Sequence, residues 1–186
     1  MHFPFELEKA IAATALLISE HKAKQLDRLR IQKLLYLAER ESLRLTGRPI
    51  VGDKLCAMQH GPVLSHALDL MRGIQHDDKW SKFFSTKGPN LLILTKNPGV
   101  DALSQFDVAI LKQIAQKYRA RSSWNVVELT HEFPEWKRNY VPKSSRAIPL
   151  TDILHAVGRS DEEAKEIVAD AEYAAAFARQ FGAAAA

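Results

Sequence analysis

The chain has 186 residues, 46% hydrophobic and 26% charged, the balance of one globular domain whose core needs no staples. Its formal charge of +4 admits nucleic acid or an acidic protein as partner and selects neither. Cys56 is the only cysteine, which excludes an intramolecular disulfide and fits a reducing cytoplasm; no apolar run reaches the ~20 residues of a membrane span, and MHFPFELEK lacks the basic-then-apolar order of a secretion signal.

The first predicted element is a helix over 6–20, with Pro4 near its start. Leu7, Ala10, Ile11, Leu17 and Ile18 recur at its period. Thr14 shares their stripe, with its methyl packed and its hydroxyl bonded back to the helix. Residues 27–46 form the strongest helix, capped by Asp27 and stopped by Gly47. Ile31, Leu34, Leu35, Ala38 and Leu45 make its main face. Leu29, Tyr36 and Leu43 make a second strip roughly 150° away. A helix apolar on two sides is either buried centrally or touches a partner. Arg30, Lys33, Arg40 and Arg44 run between the strips as a basic ridge interrupted by Leu37. That ridge is a solvated edge or a contact for something acidic.

Residues 48–59 are extended or a short helical turn. Gly61 then frees the backbone, and Pro62 suits the first position of a helix running to Arg72, with Val63, Ala67, Leu70 and Met71 inward and Gly73 at its end. His60-Gly61-Pro62 therefore reads as a device that sets chain direction. Trp80–Thr86 and Leu91–Thr95 flank Lys87-Gly88-Pro89-Asn90, a β-hairpin that must pack on helices. Ser104 and Asp107 open a helix whose core face is Phe106, Ile110, Leu111, Ile114 and Tyr118. Ser122 or Ser123 caps a shorter one that Pro134 limits. Residues 137–149 read as loop, and 150–157 as a helical turn. A capping box at Ser160–Glu163 opens an amphipathic helix with Ala164, Ile167, Val168, Ala171, Ala174, Ala175, Ala178 and Phe181 inward. Ala183–Ala186 are expected to fray. The fold class is mainly α: a compact helical domain over 1–158 with a small inserted hairpin, and a C-terminal helix and tail over 159–186 packed on it.

Chemistry is sparse. His60 and His66 are six apart and cannot share a helix face, and His131 and Glu132 diverge on a helix. There is no HExxH, CxxC, GxSxG, GxxxxGK[ST] or GxGxxG. No catalytic residue, metal or cofactor is predicted, and binding is favoured over catalysis. A helix-turn-helix-like segment at 104–133 raises DNA-binding regulation as the alternative. Its second helix, SWNVVELTHEF, carries Glu128 and Glu132 and no Arg or Lys, so nucleic acid is disfavoured.

The run IQKLLYLAERESLRLTGRPIVGDKLCAMQHGPV resembles the signature of the Panacea domain, the SocA-like antitoxin family. Its marks are Lys33-Leu34-Leu35-Tyr36-Leu37-Ala38, Gly47-Arg48-Pro49-Ile50, and Ala57 through Gly61-Pro62-Val63. A second block resembles the family at Ser123-Trp124, Leu129-Thr130-His131 and Trp136. The resemblance spans roughly residues 6–157. It implies an antitoxin that binds a cognate protein toxin, usually encoded beside it, with SocA-like members also delivering toxin to the ClpXP protease. The expected partner face is Leu29, Arg30, Lys33, Tyr36, Leu37, Arg40, Leu43 and Arg44. Gly47, Pro49, Ala57, Gly61, Pro62, Val63, Trp124, His131 and Trp136 are expected to act structurally. Ala185-Ala186 at the C-terminus resembles tails that ClpX-type unfoldases recognise.

Overall fold

The computed structural model describes residues 2–181; the fraying expected at Ala183–Ala186 and the unfoldase-tail resemblance of Ala185-Ala186 fall outside them. The chain runs α1 (Leu7–Glu20), β1 (Gln25–Asp27), α2 (Arg28–Thr46), β2 (Leu55–Met58), β3 (Gly61–Leu64), α3 (Ser65–Arg72), α4 (Asp78–Ser81), β4 (Phe84–Lys87), β5 (Leu91–Leu94), α5 (Gln105–Tyr118) and α6 (Ser123–His131). It continues through α7 (Pro134–Asn139), β6 (Arg146–Ala147), α8 (Leu150–Ala156) and α9 (Asp161–Phe181). The fold is helix-dominated α+β, as expected.

Two helices form the centre. Every residue of α1 from Ala10 to Ile18 is buried, as is every residue of α2 from Arg30 to Glu39. The two-sided apolar pattern of α2 therefore marks a helix covered on all sides, by α1, α5, α6 and β3. Asp27 accepts the Arg30 N–H at 3.1 Å, and Gly47 closes the other end in the left-handed region at φ 72°. Thr14 is fully buried, but its hydroxyl has no hydrogen-bond partner, contrary to the expected back-bond. Phe106 and Leu45, expected in the core, are exposed.

The expected hairpin is β4–β5, turning through residues 88–90, with β1 added on the other side of β5. Trp80 belongs instead to α4, where the Asp77 carboxylate accepts the N–H groups of Lys79 and Trp80. A second antiparallel sheet, in the order β3-β2-β6, was not expected. It corrects two expectations at once. Pro62 is not the start of a helix; it lies in edge strand β3 opposite Ala57, where a missing N–H is tolerated. Residues 137–149 are not all loop, because α7 extends to Asn139 and Arg146–Ala147 pairs with β2. The helix after Pro62 begins at Ser65, since its cap comes from Asp53, twelve residues upstream. One carboxylate oxygen accepts His66 N–H at 3.0 Å and the other Ala67 N–H at 2.9 Å. No local pattern around Pro62 could have revealed that cap.

The capping box of α9 is present: Ser160 N–H donates to Glu163 at 2.9 Å, and Glu163 N–H to the Ser160 hydroxyl at 3.2 Å. α9 packs on α8 through buried Ala164 and Ala171 and half-buried Ile167 and Val168. It also seals the end of α2, for a Cβ on Gly47 would come within 2.7 Å of Ile167 Cδ1. Phe181, expected on this inner face, is exposed.

Candidate partner-binding groove

Apart from exposed Arg44, the basic ridge of α2 is neither a solvated edge nor a free contact face. Arg30 is buried; its guanidinium donates to the Tyr118 carbonyl at 2.7 Å and the Arg121 carbonyl at 2.6 Å, where cations suit the end of α5. Lys33 is fully buried and donates to the Pro62 carbonyl at 2.5 Å. Burial pulls its ammonium down to about 7. Tyr36 donates its hydroxyl to Glu135 on α7 at 2.9 Å, and Arg40 meets the same oxygen at 2.7 Å while lying 4.2 Å from the centre of the Phe133 ring. Burial, reinforced by Glu135, holds the Tyr36 phenol well above its usual range. Gln32 accepts the Leu64 N–H, and Glu39 accepts those of Ile50 and Val51. Burial raises the Glu39 carboxyl to about 8.

The expected partner face is therefore corrected residue by residue. Arg30, Lys33, Tyr36, Leu37 and Leu43 are buried, and Arg40 is only partly exposed. Arg44 is exposed and pairs with Glu41 at 2.7 Å. Leu29, half-buried, lines a surface groove. The polar groups of α2 hold α5, β3, α7 and the 50–51 segment to one helix.

Above this hub sits the β2–β3 hairpin. Met58 pairs with Gly61, leaving Gln59-His60 as the turn. Gly61 has φ 89°, and a Cβ there would come within 2.5 Å of the Thr130 hydroxyl. Glycine is thus required both for the turn and for the close approach of α6. His60-Gly61-Pro62 does set chain direction, as a hairpin rather than a helix start. The turn exposes His60, whose ring meets Trp124 edge-on at 5.5 Å.

Trp124 marks a groove of about 540 Å³ between the hairpin, the start of α2, α3 and the start of α6. Its wall is apolar, from Met58, Val63 and Leu68. Two arginines stand at it. Arg28 donates to the Met71 carbonyl at 3.0 Å, and Arg72 is exposed nearby. Burial and then Arg72 lower the Arg28 guanidinium from its usual value. The tryptophan itself is 58% exposed. An accessible tryptophan beside arginines and an apolar wall is the composition that anchors protein interfaces.

Residues 31–137 match the family described as antitoxin SocA-like, Panacea domain. The chain belongs to this family. Comparison with curated proteins and with solved structures finds no match. The matched span of the Panacea domain runs from the first turn of α2 to α7 and contains Lys33, Tyr36, Glu39, Arg40 and Glu135 with most of the groove, whereas Arg28, Leu29 and Arg30 stand just before it. Trp136 closes the span from within: it stacks between His131 at 4.2 Å and Tyr140 at 4.7 Å, and its indole N–H donates to the Met58 carbonyl at 3.0 Å. Burial, then Lys33, lowers the His131 imidazole, and its Nε2 has no hydrogen-bond partner. Gly47, Ala57 and Gly61 are all buried backbone positions. Trp124 differs from these motif residues by pointing outward. Sequence reasoning missed Arg28, Leu68 and Arg72, which lie on separate elements and converge only in the fold.

Proposed function

We propose that this Panacea domain is an antitoxin that binds a cognate protein toxin, encoded beside it, and neutralises it without catalysis. The observation that carries the reading is the exposed Trp124, set beside Arg28 and Arg72 at the mouth of a groove whose lining lies mostly within the family's matched span. Such anchors inhibit by covering a partner's working surface, and none of them need turn over a substrate. Delivery of the bound toxin to ClpXP is a second consequence that the same binding permits. Cytoplasmic residence agrees with one buried, unpaired cysteine. Among the described residues no helix is long and apolar enough to cross a membrane. DNA binding through α5 and α6 is the weaker reading, because α6 turns Asn125 and Glu128 outward and carries no basic side chain but His131.

The test is co-expression with the product of each adjacent gene that arrests growth alone. The wild-type chain should restore growth and co-purify with one such product, resistant to nuclease. Trp124→Ala with Arg72→Glu should weaken the complex by roughly thirtyfold or more, the scale of losing interface anchors. An adjacent toxin that is neither bound nor neutralised would sink the reading. So would a DNA complex that weakens steeply with salt.

A further inference from the structure

The C-terminal helix α9 lies beyond the matched span and differs in charge from everything before it. Six carboxylates against two bases give it a charge of −4, whereas the rest of the chain carries +8. Its inner face of alanines is packed. Its outer face presents Tyr173, 74% exposed, and Phe177, 54% exposed, one turn apart, with the Phe181 ring 4.6 Å from that of Phe177. Glu162, Glu166 and Asp170 precede these rings on the same face at helical spacing. Among the described residues Glu162, Glu166 and Glu172 make no ion pair or hydrogen bond, while Asp170 meets Arg48 at 3.5 Å.

Tyr173 and Phe177 also wall a cleft of about 570 Å³ whose opposite side is Phe3, Pro4 and Pro49. The charges at its rim cancel in pairs: Glu6 with Lys9 at 2.9 Å, and Arg48 with Asp170. Glu163 is met by Arg159 at 2.7 Å and Asp161 by His155 at 3.1 Å, so among the described residues the carboxylates of α9 left without a partner are Glu162, Glu166 and Glu172. Exposed aromatics lining a cleft favour an apolar side chain, and the carboxylates along the same helix favour a cationic one. An anionic membrane is repelled by this face. A second α9 would bring another −4 to the contact.

We propose that the Tyr173–Phe177 cleft and the acidic flank of α9 form a docking surface for a basic amphipathic helix of a protein partner. The partner's apolar residues enter between the rings and the Phe3-Pro4 segment, and its lysines or arginines lie along Glu162 and Glu166. This is recognition of a helix in a groove. On the antitoxin reading, on which the identity of the partner rests, the toxin presents that helix, and α9 grips it on a face chemically opposite to the basic groove at Trp124.

The test uses the full chain and a fluorescein-labelled 18-residue peptide with leucine at i, i+3, i+4 and i+7 and lysine elsewhere, read by anisotropy. Its counterpart with glutamate for lysine is the control. The lysine peptide should bind and the glutamate peptide should not. Tyr173→Ser with Phe177→Ser, which leaves charge unchanged, should weaken binding at least about tenfold, as should Glu162→Gln with Glu166→Gln. Equal affinity of wild type and both double variants would overturn the proposal, as would no binding at all. A wild-type dimer in sedimentation that the aromatic variant dissolves would overturn it in favour of a second copy. Peptide binding without neutralisation of any adjacent toxin would instead leave α9 assigned and remove the antitoxin reading. Neutralisation that survives the aromatic variant would leave the antitoxin reading and place the toxin off α9.

Discussion

Helices α2 and α9 look alike on a helical wheel, since each carries an apolar face and a second strip of large side chains separated by charge. They have opposite fates. In α2 Tyr36 and Leu43 of the second strip are buried, and the charges of Arg30, Lys33, Glu39 and Arg40 each hold a backbone group or carboxylate of another element, while Arg44 and Glu41 pair with each other near its exposed end. In α9 the second strip, Tyr173 and Phe177, faces outward, and among the described residues Glu162, Glu166 and Glu172 hold nothing. The difference lies in what packs around each helix: α1, α5, α6 and β3 surround α2, whereas α9 rests on α8 along its alanine face. A two-sided helix therefore signals a partner only where the chain itself has not supplied the cover.

The sharpest way to break this contrast is to remove one clamp. Glu135 is fully buried, and Arg40 is the cation that meets it. Arg40→Leu strands that carboxylate in the interior and should lower stability by ~3–5 kcal/mol in urea denaturation. Adding Glu135→Met should recover most of the loss, because the partnerless charge is then gone. Tyr173→Ser with Phe177→Ser should leave stability within ~0.5 kcal/mol, as surface changes do. Comparable losses in both helices would erase the distinction between them.

The sequence showed the framework where the signal was local. Asp27, Gly47, Ser104 and Ser160 each cap as their spacing requires, and the β4–β5 hairpin lies where aromatic and branched runs flank a Gly-Pro turn. What it could not show depends on contacts between distant segments. β1, β3 and β6 are two to four residues long, too short to display a period, and exist because a partner strand holds them. The ridge of Arg30, Lys33 and Arg40 is visible as a pattern, but apart from His21 its acceptors are carbonyls and a carboxylate 29 to 116 residues away. Charge on a helix reads as a solvated edge or a contact for something acidic, because isolated charge is rarely buried. Here it is buried and paired. Leu29 and Trp124, named separately, meet in one groove that neither local segment encodes.

A second, smaller effect distinguishes clamps that resist their own charge. Glu39 has its carboxyl raised to about 8, so between its ordinary value of 4.5 and about 8 the unfolded chain has lost a proton that the folded chain keeps. Stability falls as pH rises through that window. Lys33 is lowered to about 7 from 10.5, so between about 7 and 10.5 the unfolded chain holds the extra proton and stability rises with pH. Urea midpoints from pH 5 to 9.5 should pass through a minimum between pH 7 and 8. Lys33→Met should abolish the rising limb and add ~1–2 kcal/mol at pH 6, where the buried ammonium is charged. Glu39→Gln should flatten the falling limb. A monotonic profile that neither substitution alters would show that these two groups are not held as the structure places them.

The smallest expected effect is at Thr14, which serves as the control for the clamps. It is as buried as any polar group of α2, yet its hydroxyl meets no donor or acceptor. A buried hydroxyl without a partner gives up its hydration and gains nothing in exchange. Valine has nearly the same shape, shares the branched Cβ and replaces the hydroxyl with a methyl that suits the surrounding alanines and leucines of α1. Thr14→Val should therefore stabilise the fold by up to ~1 kcal/mol, read as a higher urea midpoint with an unchanged slope. A clamp residue treated the same way, such as Gln32→Leu, should go in the opposite direction, because the Leu64 N–H that it satisfies would be left buried and unpaired. If both substitutions destabilised equally, the hydroxyl of Thr14 would have a partner after all, and burial alone, rather than the backbone group each side chain holds, would set the worth of polar residues in this core.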